Sequence, residues 1–211
     1  MTMHKSIYPT AFAVLLVLSS AAVADDAGFY FGVGIGQASA NLTGKIDQSL
    51  IEEGFSIDSL SLNGAETGWK LFAGYAFTSY LAAELSYVDL GEAGAEITIG
   101  GRVPGRIDTT MDMSGINIGL KLNYPFDDQF FAFIKLGAFV WNAEANANAN
   151  LGPNLGTSSR KDNGADFSYG LGLSYAFTDQ VTLRADWDYY RLGGDADADA
   201  KLWSVGMQYL F

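Results

Sequence analysis

From Phe29 onward, apolar residues alternate with small or polar ones at period two, in runs of about ten residues, as in strands with one greasy face. Phe29, Phe31, Val33 and Ile35 alternate with Tyr30, Gly32, Gly34 and Gly36. Trp69, Leu71, Ala73, Tyr75 and Phe77 stand against Lys70, Phe72, Gly74 and Ala76, and Leu81, Ala83, Leu85 and Tyr87 against Ala82, Glu84 and Ser86. The fourth run sets Ile116, Ile118, Leu120, Leu122 and Tyr124 against Asn117, Gly119, Lys121 and Asn123. In the fifth, Phe130 to Trp141, turning Lys135 inward turns Phe133, Phe139 and Trp141 inward too, which admits a bulge or a snorkelling lysine. The last three runs start at Phe167, Val181 and Trp203, with Arg184, Asp186 and Asp188 on the polar face of the seventh.

The eight segments predict an antiparallel up-and-down β-barrel, and their connections alternate in length. Thr78-Ser79, Pro125 to Gln129 and Thr178 to Gln180 are short; Ser39 to Thr67, Gly91 to Thr109 and Asn142 to Gly164 are long, and Gly193 to Lys201 is intermediate. Tight turns at one end and long loops at the other are the asymmetry of outer-membrane barrels. Phe77, Phe126 and Phe177 precede or open the three turns at separations of 49 and 51 residues, so one hairpin unit recurs three times. The Asn and Ala alternation from Asn142 to Asn150 predicts strands rising above the membrane.

A soluble barrel buries its apolar face, whereas a membrane barrel turns that face to lipid. Here the opposite face carries glycine, serine, asparagine and charge, which suits a polar lumen and not a dry core. Tyr75, Phe77, Tyr124, Tyr175, Phe177, Tyr209 and Phe211 gather at the short-turn end, and Trp69, Trp141, Trp187 and Trp203 at the long-loop end. Two aromatic girdles are what the two membrane interfaces select.

The segment before the first strand reads as an export signal. Met1 to Lys5 is a short basic start, Ala11 to Leu18 is apolar, and Ala22 and Ala24 flank a cut before Asp25. The expected organisation is thus a signal peptide over 1–24 and the barrel over 25–211. All 24 acidic residues lie beyond the signal, which removes only Lys5 from the 12 bases, so the mature chain is more negative than the −12 of the whole. That balance argues against nucleic acid as a partner. The chain has no cysteine, and its one histidine, His4, leaves with the signal. No thiolate, disulfide or imidazole chemistry remains to the mature chain, and no cofactor or metal site is expected.

At this point the sequence resembles a known family. Gly68-Trp69-Lys70-Leu71-Phe72-Ala73-Gly74-Tyr75-Ala76-Phe77, Ala83-Glu84-Leu85-Ser86-Tyr87 and Ser204-Val205-Gly206-Met207-Gln208-Tyr209-Leu210-Phe211 look like the transmembrane domain of the outer-membrane protein A (OmpA-like) superfamily, small barrels of the opacity and adhesin-type porin group. The ending, with Ser204, Gly206, Tyr209 and Phe211, is similar to the signal read by the barrel-assembly machinery. The sequence stops at Phe211, without the peptidoglycan-binding domain of longer members, so an anchoring role does not carry over.

Counted from the short-turn ends, Glu84, Lys121, Lys135, Arg184 and Asp186 fall at one level on the inward face, which predicts an ion-pair network plugging the lumen. The resemblance implies matching positions for Glu84, Lys121 and Arg184; an acidic lumen residue of the family is replaced by Ser174. Asp186 and Asp188 offer acid-base chemistry, but beside Arg184 structural pairing is the stronger reading. Asp195, Asp197 and Asp199 have calcium-like spacing without the glycine and distant glutamate of an EF-hand loop; they suit an acidic surface or divalent bridging to lipopolysaccharide. The function expected is an integral outer-membrane component, in contact with lipid and lipopolysaccharide, whose loops meet a host or surface receptor. A narrow or transient pore is the runner-up, followed by a lipid-modifying enzyme and a soluble ligand-binding barrel.

Overall fold

The computed structural model describes residues 27–41, 57–63, 66–99, 105–151, 154–193 and 198–211. The strands are β1 (Gly28–Asn41), β2 (Ile57–Asn63), β3 (Glu66–Ala76), β4 (Leu81–Ile99), β5 (Gly105–Pro125), β6 (Phe130–Leu151), β7 (Asn154–Ala176), β8 (Val181–Leu192) and β9 (Ala198–Leu210). Each strand from β3 to β9 pairs antiparallel with the next, β1 pairs with β3, and the β1–β9 ladder from Tyr30↔Leu210 to Asn41↔Asp199 closes the ring. The result is a closed, all-β, eight-stranded antiparallel barrel with β2 as an addition. β2 lies inside the expected connection from Ser39 to Thr67, and pairs with the far part of β4, Asn63↔Gly94 to Ile57↔Ile99, beyond the point where the β3 ladder ends at Trp69↔Asp89.

The alternation read from the sequence sorts residues by face. On β1, Phe29, Phe31, Val33 and Ile35 are exposed while Tyr30 is buried; on β5, Ile116, Ile118, Leu120 and Leu122 are exposed while Lys121 is buried. The three short turns, 77–80, 126–129 and 177–180, use one device. Thr78 Oγ1 accepts from the backbone N–H of Tyr80 and Leu81, Asp127 Oδ1 from those of Gln129 and Phe130, and Thr178 Oγ1 from those of Gln180 and Val181. Such side-chain caps satisfy amides that the turn would otherwise leave to water. The N–H groups of Phe130 and Gln129 hold the Asp127 carboxyl below its ordinary pKa.

The opposite end differs from expectation. Crossing a bilayer takes about ten residues per strand, but β4 has 19, β5 21, β6 22 and β7 23. Much of the stretches Gly91 to Thr109 and Asn142 to Gly164, expected as connections, is therefore paired strand, as the Asn142–Asn150 alternation had suggested. Together with β2 these strands form a tall wall on one side of the mouth, while β8 and β9, of 12 and 13 residues, form a low rim. A register shift between Asp89 and Glu92 interrupts the β4–β5 ladder at Gly91, whose φ of 73° is a left-handed conformation suited to glycine.

The β5–β6 ladder runs without a shift from Gly105↔Leu151 to Pro125↔Phe131. The fifth segment therefore has neither a bulge nor a snorkelling lysine: Lys135, Phe133, Phe139 and Trp141 all point inward and are buried. Trp141 thus does not belong to the lipid-facing girdle. Its indole Nε1 donates to Asp166 Oδ2 at 2.8 Å inside the barrel. Around it Val88, Leu90, Met113, Phe139, Tyr190, Leu192 and Leu202 form an apolar cluster. The lumen is consequently polar only in part. Its half toward the extended end is packed like the core of a soluble barrel, because the interior of a tube of eight strands is just wide enough to be filled by side chains.

Candidate functional site: a lumenal ion network

Below that cluster, toward the short turns, the inward positions of β3, β4, β5, β6 and β8 bring seven charged side chains together. Asp186 Oδ1 is the hub, 2.7 Å from Lys135 Nζ, 3.0 Å from Lys70 Nζ and 2.9 Å from the Arg184 guanidinium. Asp188 pairs with Lys70 at 2.7 Å and also with Lys135. Arg184 reaches across to Glu84 Oε2 at 2.9 Å, and the Tyr30 hydroxyl donates to the same oxygen at 3.1 Å. The guanidinium lies 4.2 Å from the Phe72 ring centroid and 4.8 Å from that of Phe133, so its faces are covered by aromatic carbon. Among the described residues, Arg184 Nε and Ser204 Oγ are buried without a hydrogen-bond partner.

Small residues make these reaches possible. Lys135, Gly170 and Asp188 are level across β6, β7 and β8, and a Cβ on Gly170 would meet both charged side chains. A Cβ on Gly74 would strike the Tyr30 ring and hydroxyl. Glycine is therefore required at these two positions for the space that it leaves.

The five expected residues all line this stretch of lumen. Glu84, Lys135, Arg184 and Asp186 are joined by ion pairs, whereas Lys121 is not. Its ammonium lies 3.5 Å from Gln208 Oε1 and 4.7 Å from the Tyr30 ring centroid, with no carboxylate in contact among the described residues. Sequence reasoning left out Lys70, and did not give Asp188 its two lysines. Lys70 is level with Arg184 through Gly34 and Gly206, two positions without side chains, and it crosses that gap to Asp186 and Asp188. The inward parity of Lys70 was the available signal.

Outside, the aromatics form two groups. Trp69 packs on Tyr87, and Trp187 on Trp203, Tyr169 and Tyr189, at the extended end. Near the turns Tyr75 packs on Phe29 and Phe77, Tyr175 on Phe130, and Tyr209 on Phe211, while Phe177 stands exposed. Ser204 and Gly206 lie on the inward face of β9, Tyr209 and Phe211 on the outward face; the Phe211 N–H donates to Phe29 O. Residues 194–197 and the expected export signal over 1–24 lie outside the described residues, and with them most of the acidic Asp195–Asp199 run.

A ring whose outer face is apolar and whose inner face is filled by charge and aromatic side chains is a membrane-embedded β-barrel. The chain belongs to the outer membrane protein beta-barrel domain family, whose model matches residues 10–211. It is similar to outer membrane protein A of Salmonella typhi, 28% identical over 154 residues covering 69% of this chain and 40% of the relative, and to that of Serratia marcescens, 30% identical over 155 residues with the same coverage. The chain thus spans 40% of the length of these curated relatives. In fold it resembles Ail, the attachment invasion locus protein of Yersinia pestis (TM-score 0.53, 16% identity, 87% of this chain and 99% of that one), and OprG of Pseudomonas aeruginosa (0.52, 14%, 87% and 96%). The protein resides in the outer membrane, as a barrel of this type.

Proposed function

We propose that this barrel is a closed structural component of the outer membrane that presents its extended strands and loops for contact at the cell surface. The sealed lumen carries the reading. The salt-bridged layer around Asp186 and the apolar layer around Phe139 and Trp141 are stacked, both are buried, and either one alone would block a tube this narrow. With the interior committed to packing, the surface left for recognition is the tall wall of β2, β4, β5, β6 and β7. A likeness in fold to a protein named for attachment and invasion is in keeping with an adhesive role. The lipid-facing aromatics Trp69, Trp187, Trp203, Tyr75, Phe77, Tyr175 and Phe177 set the barrel's height against lipid and lipopolysaccharide, and Ser204, Gly206, Tyr209 and Phe211 serve recognition by the barrel-assembly machinery. Osmotic swelling of proteoliposomes in small sugars tests the central point: no swelling beyond that of empty liposomes is expected, and swelling that scales with protein content would overturn it.

A further inference from the structure

The network contains four cations, Lys70, Lys121, Lys135 and Arg184, but three carboxylates, Glu84, Asp186 and Asp188. The excess charge falls on Lys121. The residue is 6% exposed and lines a cavity of about 930 Å³ at the short-turn mouth. Ser174, Thr182, Asn123 and Gln208 also line this cavity. Gln208 Oε1 already accepts from both Lys121 and Arg184, at 3.5 and 3.2 Å, so what Gln208 has left to offer is its amide N–H groups. A buried ammonium with one long hydrogen bond and the faces of two aromatic rings, Tyr30 at 4.7 Å and Phe133 at 5.5 Å, has no full counter-charge in contact in a low-dielectric tube.

We propose that the vestibule at the short-turn mouth binds a small monovalent anion, of which chloride is the abundant case, between the Lys121 ammonium and the Gln208 amide. One negative charge there balances the network. Larger, multiply charged anions are disfavoured, because Asp127, Asp128 and Asp179 line the outer rim and would repel them. Ser174, level with Arg184 in the β7–β8 ladder and lining the same cavity, is where an internal carboxylate would make an external anion unnecessary.

The test is chloride-35 NMR line broadening on the folded barrel in a zwitterionic detergent. The wild-type protein should give excess broadening that saturates as chloride is added. K121M removes the cation and S174E supplies the missing carboxylate, and each should lower the saturable part at least fivefold. Heat-modifiable migration on gels shows which variants are folded; if K121M does not fold, S174E carries the comparison. Absence of a saturable component in the wild type overturns the proposal, as does its persistence in folded K121M or S174E. The readout is independent of conductance, so the closed-barrel reading can fail without this one failing.

Discussion

Replacing Asp186 by asparagine isolates what the ion network contributes. The carboxylate oxygen Oδ1 contacts Lys70, Lys135 and Arg184 within 3.0 Å, and its side chain is 1% exposed. The amide keeps the shape and a neutral acceptor but removes the charge, leaving four cations against Glu84 and Asp188. Breaking a buried pair by deleting one partner costs about 3–5 kcal/mol. Since Asp188 still serves both lysines and Glu84 still serves Arg184, the lower end applies, about 3 kcal/mol, or roughly two orders of magnitude in the folded-to-unfolded ratio. The control is E144Q, which breaks the Lys161–Glu144 pair, with side chains 74% and 41% exposed, and should cost less than about 1 kcal/mol. Reversible urea unfolding in phosphocholine vesicles, followed by tryptophan fluorescence and by gel migration, gives both numbers. Coincident unfolding curves for D186N and E144Q would refute a stabilising role for the network.

The apolar layer makes a different demand. W141F forfeits the hydrogen bond to Asp166, which still accepts from Gly193 N, and part of the buried indole volume, so about 2 kcal/mol should be lost; W141A opens a larger cavity and should cost about 3–5 kcal/mol in the same unfolding assay. At the turns, Asp127 has its pKa depressed in the folded state, so its contribution to stability is present above the unfolded carboxylate pKa and is lost as pH falls through the lower folded one. D127N should therefore flatten the acid limb of a stability-against-pH profile, while a profile parallel to wild type would show that the turn does not depend on that charge.

Much of the barrel was legible from parity alone. Phe29 to Ile35 and Ile116 to Leu122 show clean alternation because lipid on one side and glycine or charge on the other impose opposite chemistry on successive residues. The fifth segment defeated the same reading, since Ile134, Leu136 and Val140 outside and Phe133, Phe139 and Trp141 inside are all apolar, and only the unbroken ladders to β5 and β7 decide the face. The apolar upper lumen was missed for a related reason: Val88, Leu192 and Leu202 sit at inward parity without a change of period to announce that the lumen there is filled by apolar side chains. Lys70 was missed because strand stagger, not distance from a turn, determines which side chains meet across Gly34 and Gly206. The β2 strand lies in a stretch whose pairing partner, β4 beyond Gly91, is also outside the membrane alternation.

The closed lumen is the central claim about function. Single-channel recording of the purified, refolded barrel in planar lipid bilayers tests it most directly: stable insertion with no discrete conductance steps is the predicted result, and reproducible, long-lived steps in the wild-type protein would contradict it.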